Sequence, residues 1–267
     1  MERSWHLLAQ EVTQMGRASK VILASRRVAS LVGVTGAEAS GLALYSAVGM
    51  WSKQTAAART QTWASELCRR LGLDVTVLGS PADGPALYVP NHRSYTDVIA
   101  IASQMPCTFL AKSEVGTWPF FGKAVAVGGT LFVERGSKES RRSAREAIAK
   151  TLEAGVSVVV FPEGTSTAEP LVRPFKQGLF QTAADLGVPV VPMALHYKDS
   201  DMPWVGDDTF LAHFYRVFGR SQSEVLVHFG PTLREKSAER LRGAAWHWCN
   251  CEVRRLCGAT QMGVENG

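Results

Sequence analysis

Between residues 73 and 256 this chain alternates short β-branched and apolar runs with stretches of helical periodicity, and few folds accept that pattern. The strand-like runs fall at 73–78, 86–89, 107–111, 130–133, 156–161, 190–196 and 225–229. Helical stretches lie near 98–104, 139–154, 179–186 and 238–256, with Gly155 and Gly187 placed as helix-ending glycines. The expected architecture is α/β, a mixed and mostly parallel sheet flanked by helices. A hydrophobic content of 46% with 20% charged residues is enough for a full core and argues against disorder. The division expected is an N-terminal helical, membrane-associating segment over 1–70 and one α/β domain over 71–267.

The second run, Ala86-Leu87-Tyr88-Val89-Pro90, leads directly into Asn91-His92-Arg93-Ser94-Tyr95-Thr96-Asp97. A histidine acts as a base at neutral pH when a carboxylate fixes its tautomer and stabilises the imidazolium. Residues five apart sit on different faces of a helix, so His92 and Asp97 meet only if the segment turns between them. Asn91 and Ser94 favour such a turn. The alternative is a turn histidine beside a helix-capping aspartate. A second run, Val158-Val159-Val160-Phe161, ends in Pro162-Glu163-Gly164-Thr165. If the two strands are neighbours, both turns lie at one edge of the sheet, where open α/β folds place their sites. The chain has no Gly-x-Ser-x-Gly nucleophile elbow, so the activated hydroxyl is expected to belong to a substrate.

Asn-His-x-x-x-x-Asp followed by Phe-Pro-Glu-Gly-Thr resembles the glycerolipid acyltransferase family, typified by bacterial 1-acyl-glycerol-3-phosphate acyltransferases. Leu131-Phe132-Val133-Glu134-Arg135-Gly136 is similar to a third block, and Val188-Pro189-Val190-Val191-Pro192 to a fourth. Connecting segments agree: Ala111-Lys112-Ser113-Glu114 with Pro119, Gly122 and Lys123, and Pro174-Phe175-Lys176-Gln177-Gly178. The resemblance spans about residues 65–235, with four blocks in order.

That resemblance implies a general base, His92, oriented by Asp97, removing a proton from a glycerol-type hydroxyl. The oxygen then attacks the thioester of acyl-CoA or acyl carrier protein, with no acyl-enzyme and no cofactor. Arg135 and the Glu163-Gly164-Thr165 turn are implied to hold the acceptor head group, with Asn91, Ser94, Lys112 and Pro192 as further substrate contacts. A guanidinium fork suits phosphate oxygens. Glu163 would repel phosphate, so it is expected to fix Arg135 or a glycerol hydroxyl. Many family members continue Phe-Pro-Glu-Gly-Thr with Arg, whereas this chain has Ser166 and then Thr167. Arg173 or Lys176 are candidates to replace that cation. Relatives with Ser or Thr at this point include acyltransferases of lyso-ornithine lipid, which Trp204-Val205-Gly206-Asp207-Asp208 and His213 also resemble. Lysophosphatidic acid is the acceptor expected, with lyso-ornithine lipid as the alternative.

Other classes stand beside this one: a thioester hydrolase using the same His92–Asp97 pair, and a noncatalytic lipid-binding protein. The net charge of +5, from 29 basic and 24 acidic residues, suits an anionic membrane surface or a nucleotide-bearing donor. Nucleic acid is not expected as a partner, because no basic stripe interleaved with aromatics occurs. The charged run from Glu134 to Glu146 reads as a solvated helix face. Five cysteines form no disulfide framework at this length, which points to a reducing compartment. Cys249 and Cys251 would point apart on a helix, which argues against zinc.

Residues 28–51 carry one charge, Glu38, between Arg26-Arg27 and Lys53. The stretch is long enough to span a bilayer, but a central carboxylate costs about 2.5–3.5 kcal/mol on insertion. A helix in one leaflet, or one packed on the next helix, is expected on the cytoplasmic face of the membrane. An ordinary buried helix is the alternative.

Overall fold

The computed structural model describes the backbone of residues 2–117, 125–126, 128–134 and 136–264, and side chains within 16–258 of these. Arg135, Pro119, Gly122, Lys123 and the His6 side chain lie outside the described residues.

Seven strands form one sheet in the order β1-β7-β6-β2-β5-β3-β4. They are β1 (Leu73–Leu78), β2 (Leu87–Pro90), β3 (Cys107–Lys112), β4 (Leu131–Val133), β5 (Ser157–Val159), β6 (Val190–Tyr197) and β7 (Ser223–Phe229). Every pairing is parallel except β6 with β7, so the sheet is mixed and mostly parallel. All four residues of β2 are buried, as expected of a central strand covered on both faces. β2 and β5 are parallel neighbours, paired Leu87 to Val158 and Tyr88 to Val159. The turns after them therefore emerge side by side at the carboxyl edge.

Side chains alternate across the strands into two cores. On one face Tyr88, Val159 and Leu195 pack against α2 (Lys53–Leu71), α3 (Thr96–Ala102) and α6 (Phe210–Phe218). On the other, Leu87, Val89 and Val158 pack against α4 (Lys138–Glu153), α5 (Gly178–Leu186) and α7 (Ala238–Val264). Gly187 caps α5 in the left-handed conformation, as its position suggests. Helix α6 has no counterpart among the elements expected from sequence. Thr209 caps it, and Phe214, Val217 and Phe218 share a buried face at helical spacing.

The long helix α1 (Glu2–Ala47) pairs with α2 as a hairpin and also crosses α6. Polar contacts fasten it along its length. Buried Arg27 donates to the carbonyls of Phe218 (3.1 Å), Arg220 (2.5 Å) and Ser221 (2.7 Å). Trp63 Nε1 donates to Thr35 Oγ1 at 3.0 Å, and Arg59 grips Glu38 with two bonds of 2.6 and 2.8 Å. Glu38 is thus neutralised by a neighbour on α2. Gly72, at φ 68°, leaves room for the Arg27 guanidinium, whose Nη2 would lie 2.2 Å from an added Cβ. Replacing Arg27 with alanine would strand three carbonyls that it satisfies. The expected loss is about 3 kcal/mol of stability, read by denaturant unfolding. An unchanged midpoint would show that α1 does not depend on this anchor.

Candidate active site

The segment after β2 turns back so that His92 faces Asp97. Nδ1 of His92 lies 2.8 Å from Oδ2 of Asp97. Asp97 is fully buried, and both its oxygens accept hydrogen bonds. Oδ2 also accepts from the backbone N–H groups of Arg93 (2.6 Å) and Ser94 (3.0 Å), and Oδ1 accepts from the Tyr197 hydroxyl (2.6 Å). Thr96 Oγ1 supports that hydroxyl at 2.7 Å. With Asp97 as an acceptor, Nδ1 carries the proton and Nε2 is left with its lone pair. The imidazole stacks on Phe161, centroids 3.9 Å apart at 24°, which holds the ring plane.

Glu163 fixes the histidine from behind. Its Oε1 accepts the His92 N–H at 2.7 Å and its Oε2 accepts the Arg173 N–H at 2.8 Å. Burial pushes the Glu163 carboxyl up, and the two backbone donors pull it back. Thr167 N–H bonds to the His92 carbonyl at 3.1 Å, and Arg93 donates to the carbonyls of Thr167 (3.0 Å) and Glu169. The two turns are therefore one stitched unit. Gly164, at φ 80°, makes the bend that a side chain would strain.

A cavity of about 870 Å³ opens over this unit, lined by His92, Gly164, Thr165 and Lys112 among the expected residues. Other expected residues do not line it. Asn91 spends its amide on the backbone of Leu195, accepting at 2.7 Å and donating at 3.1 Å, so it ties β2 to β6. Pro192 is buried in β6, where its carbonyl accepts from Gly230 at 2.8 Å. Ser94 is buried, and its hydroxyl has no hydrogen-bond partner among the described residues. Glu163 touches backbone rather than a head group. These four hold backbone or lie buried outside the cavity lining.

Two contributors, Tyr197 and Arg93, were not singled out by the sequence, because their roles depend on chain segments far apart. Ser166 lines the cavity and donates to the Trp204 carbonyl at 2.6 Å, tying the loop after β6 to the Glu163 turn. Trp204 N–H in turn bonds to the Arg93 carbonyl at 2.9 Å. Arg173 pairs with Glu169 at 2.7 Å and does not line the cavity, whereas Lys176 does. His213 is buried, with Nε2 3.1 Å from the Met202 carbonyl and Nδ1 3.1 Å from the Tyr95 hydroxyl. Burial lowers its pKa, and through its contact with Tyr95 it borders the cavity wall. Elsewhere, His228 pairs with Glu252, and buried Cys249 lies 3.0 Å from the Met193 carbonyl while Cys251 is exposed.

Residues 74–196 match the family profile described as Acyltransferase. The chain is 34% identical over 186 residues to the lyso-ornithine lipid O-acyltransferase of Pseudomonas aeruginosa, covering 68% of this chain and 72% of that one. A protein of the same name from Brucella abortus is 30% identical over 218 residues, 74% of this chain and 81% of the relative. The 1-acyl-sn-glycerol-3-phosphate acyltransferase of Neisseria gonorrhoeae is 36% identical over 132 residues, 48% of this chain and 51% of the relative. In fold, the chain resembles the crystal structure of the 1-acyl-sn-glycerophosphate (LPA) acyltransferase PlsC from Thermotoga maritima. The TM-score is 0.63 at 22% identity, covering 87% of this chain and 97% of that one. The four blocks, the shared fold and relatives matched over more than two thirds of their length agree: this chain belongs to the glycerolipid acyltransferase family.

Proposed function

We propose that His92 is the general base of an O-acyltransferase that moves a fatty acyl group from a thioester to a lysolipid hydroxyl. The observation that carries this reading is the His92 ring, which lines the cavity and is held between Phe161 and the buried Asp97 carboxylate. Nε2 takes the acceptor's hydroxyl proton as its oxygen attacks the thioester carbonyl. The tetrahedral adduct collapses with cleavage of the C–S bond, and the imidazolium returns the proton to the leaving thiolate. Asp97 stabilises the imidazolium through both halves of the reaction. Glu163 keeps the His92 backbone in place. Thr165 is the polar group of the Glu163 turn that reaches the cavity, and we assign it to the acceptor.

Ser166 directs the choice of acceptor. The cation that phosphate-binding relatives carry there is absent, and the serine is committed to the Trp204 carbonyl. Lyso-ornithine lipid, whose named acyltransferases match the greater share of this chain, fits a site without that arginine. Lysophosphatidic acid is the second reading, favoured by Lys112 at the cavity, a cation that can meet a phosphate. A panel of both lysolipids with acyl-CoA and acyl carrier protein donors separates them. Preference for lyso-ornithine lipid by more than about tenfold in kcat/KM is expected, the scale of one lost charged contact. A reverse preference would return the assignment to lysophosphatidic acid. Release of free acid at the same rate without acceptor would make the protein a hydrolase.

The N-terminal hairpin is proposed to seat the enzyme on the membrane surface. Gly16–Ala47 is long and apolar enough to cross a bilayer by length and composition. Its anchors at Arg27, Thr35 and Glu38 hold it against α2 and α6 instead. Its outer face presents Val21, Ile22, Val32 and Leu44, continued by Met50 and Trp51. An apolar stripe of this kind lies in one leaflet. Cytoplasmic orientation follows from the location of both proposed donors. Replacing Val21, Ile22 and Leu44 together with serine should release the protein from sedimenting liposomes. Undiminished co-sedimentation would remove this face from the membrane contact.

A further inference from the structure

The cavity over His92 is lined by residues of both cores, from both faces of the sheet, and these two sides are termed its arms. The first runs under α1 and α2 past Thr35, Leu42, Trp63 and Phe109. Thr35 and Leu42 line it from α1, the helix proposed to seat the enzyme on the membrane. The second runs between the sheet and helices α4 and α5, over Ala144, Ile148, Val160 and Leu179. Ile148 and Val160 are buried apolar residues of the second core, and Ala144 is buried as well.

The mouth of the second arm is cationic. Arg141 and Arg145 lie at the same helical face of α4 as Ala144 and Ile148, and Lys176 joins them from the segment before α5. Arg145 and Lys176 are exposed, and among the described residues neither side chain has an acidic partner within ion-pair distance. The acidic residues of α4 nearest them are engaged elsewhere: Arg142 holds Glu139 at 2.9 Å and Glu146 at 3.7 Å. This leaves two uncompensated cations above an apolar slot that reaches the catalytic base.

Two-substrate transfer needs two approaches to His92, and the chemistry at each mouth differs. The arm beside α1, the helix proposed to meet the membrane, suits the acceptor lipid. The donor arrives from water. Acyl-CoA and acyl carrier protein present their thioester at the end of the same phosphopantetheine arm, so a donor carries a phosphate whichever acceptor is used. We propose that Arg145 and Lys176 bind the phosphopantetheine phosphate of the acyl donor, and that the α4–α5 arm guides its pantetheine to His92. This rests on the transferase reading above, and concerns which substrate the cations serve.

A substrate-deletion cycle tests it on the full-length protein in lysolipid-containing vesicles. Acyl-CoA, acyl carrier protein and acyl-pantetheine, which lacks the phosphate, are compared with wild type and the Arg145→Glu/Lys176→Glu double variant. Wild type is expected to show a KM for acyl-pantetheine about tenfold above that for acyl-CoA, the scale of a charged contact. The double variant should raise KM for both phosphate-bearing donors by a similar factor and leave acyl-pantetheine and acceptor KM unchanged. Arg145→Lys with native Lys176, which keeps both charges, should restore donor KM to within about twofold. An increase in acceptor KM with unchanged donor KM would overturn the assignment, as would an acyl-CoA advantage that survives charge reversal. Loss for acyl-CoA alone, with acyl carrier protein unaffected, would also overturn it, because it would move the contact to the nucleotide. Absence of acyl transfer by wild type to any lysolipid would instead sink the transferase reading.

Discussion

Replacing His92 with alanine lowers kcat for acyl transfer by about a thousandfold, within the range spanned by positioned general bases. The ring is one-fifth exposed and its removal empties one side of Phe161, so the cost to folding is small beside the cost to the reaction. KM for both substrates should change little, because the imidazole acts on the proton that moves in the transition state rather than on either tail. The measurement is initial-rate kinetics with saturating donor and acceptor, with circular dichroism to show that the variant is folded. A kcat within about fivefold of wild type would remove His92 from the base position, since proton transfer by a side chain contributes at least a hundredfold.

Asp97→Asn is the second large effect, and a subtler one. The amide keeps the carboxylate's shape, but its NH2 cannot accept from the donors that now converge on Asp97. Those donors are His92 Nδ1 and the Arg93 and Ser94 N–H groups at Oδ2, and the Tyr197 hydroxyl at Oδ1. If the carbonyl of the new side chain takes the Oδ2 position, Tyr197 faces an NH2 group and must turn its own proton away. If it takes the other, the histidine loses its acceptor and the tautomer with Nε2 unprotonated loses its support. Either way the imidazolium forms without a neighbouring negative charge. Loss of about a hundredfold to ten-thousandfold in kcat is expected, as for other aspartates that orient a catalytic histidine. A stability loss of about 1–3 kcal/mol should accompany it from the mismatched donors. Tyr197→Phe separates the two effects: it removes one hydrogen bond to Asp97 but leaves the charge, and should cost kcat about tenfold or less, the net value of a single bond. Equal losses in Asp97→Asn and Tyr197→Phe would mean that the charge on Asp97 contributes little beyond that bond.

The strands were legible because each is a short β-branched run closed by glycine or polar turns, and their adjacency followed from parallel α/β logic. β2 and β5 are neighbours for that reason, and both turns meet at one edge. Periodicity also marked the helices, apart from α6, whose Thr209 cap and Phe214–Val217–Phe218 spacing were readable signals. The site was only half legible. Local spacing reveals a pair such as His92 and Asp97, since both lie in one turn. It says nothing of Tyr197, a hundred positions away in chain order, which meets Asp97 only because β6 lies beside β2. The same limit applies to Asn91 and Glu163: a buried polar side chain next to a catalytic residue can face either the ligand or the backbone. Here the backbone needed them, Asn91 to clasp Leu195 and Glu163 to clasp His92 and Arg173. The N-terminal helix illustrates a different limit. Hydropathy alone admits a membrane span, and only the contacts of Arg27 and Glu38 show the helix fastened to the α/β unit.

The acceptor dependence of product formation tests the central claim most directly. Acyl-CoA labelled in its acyl chain is mixed with the protein in vesicles, with and without lysolipid, and the label is followed by mass spectrometry. A base that serves a substrate hydroxyl predicts label in the acylated lipid when lysolipid is present, and almost no free acid when it is absent. Release of labelled fatty acid at the same rate in both mixtures would contradict it, and would mean that the hydroxyl activated by His92 is water's.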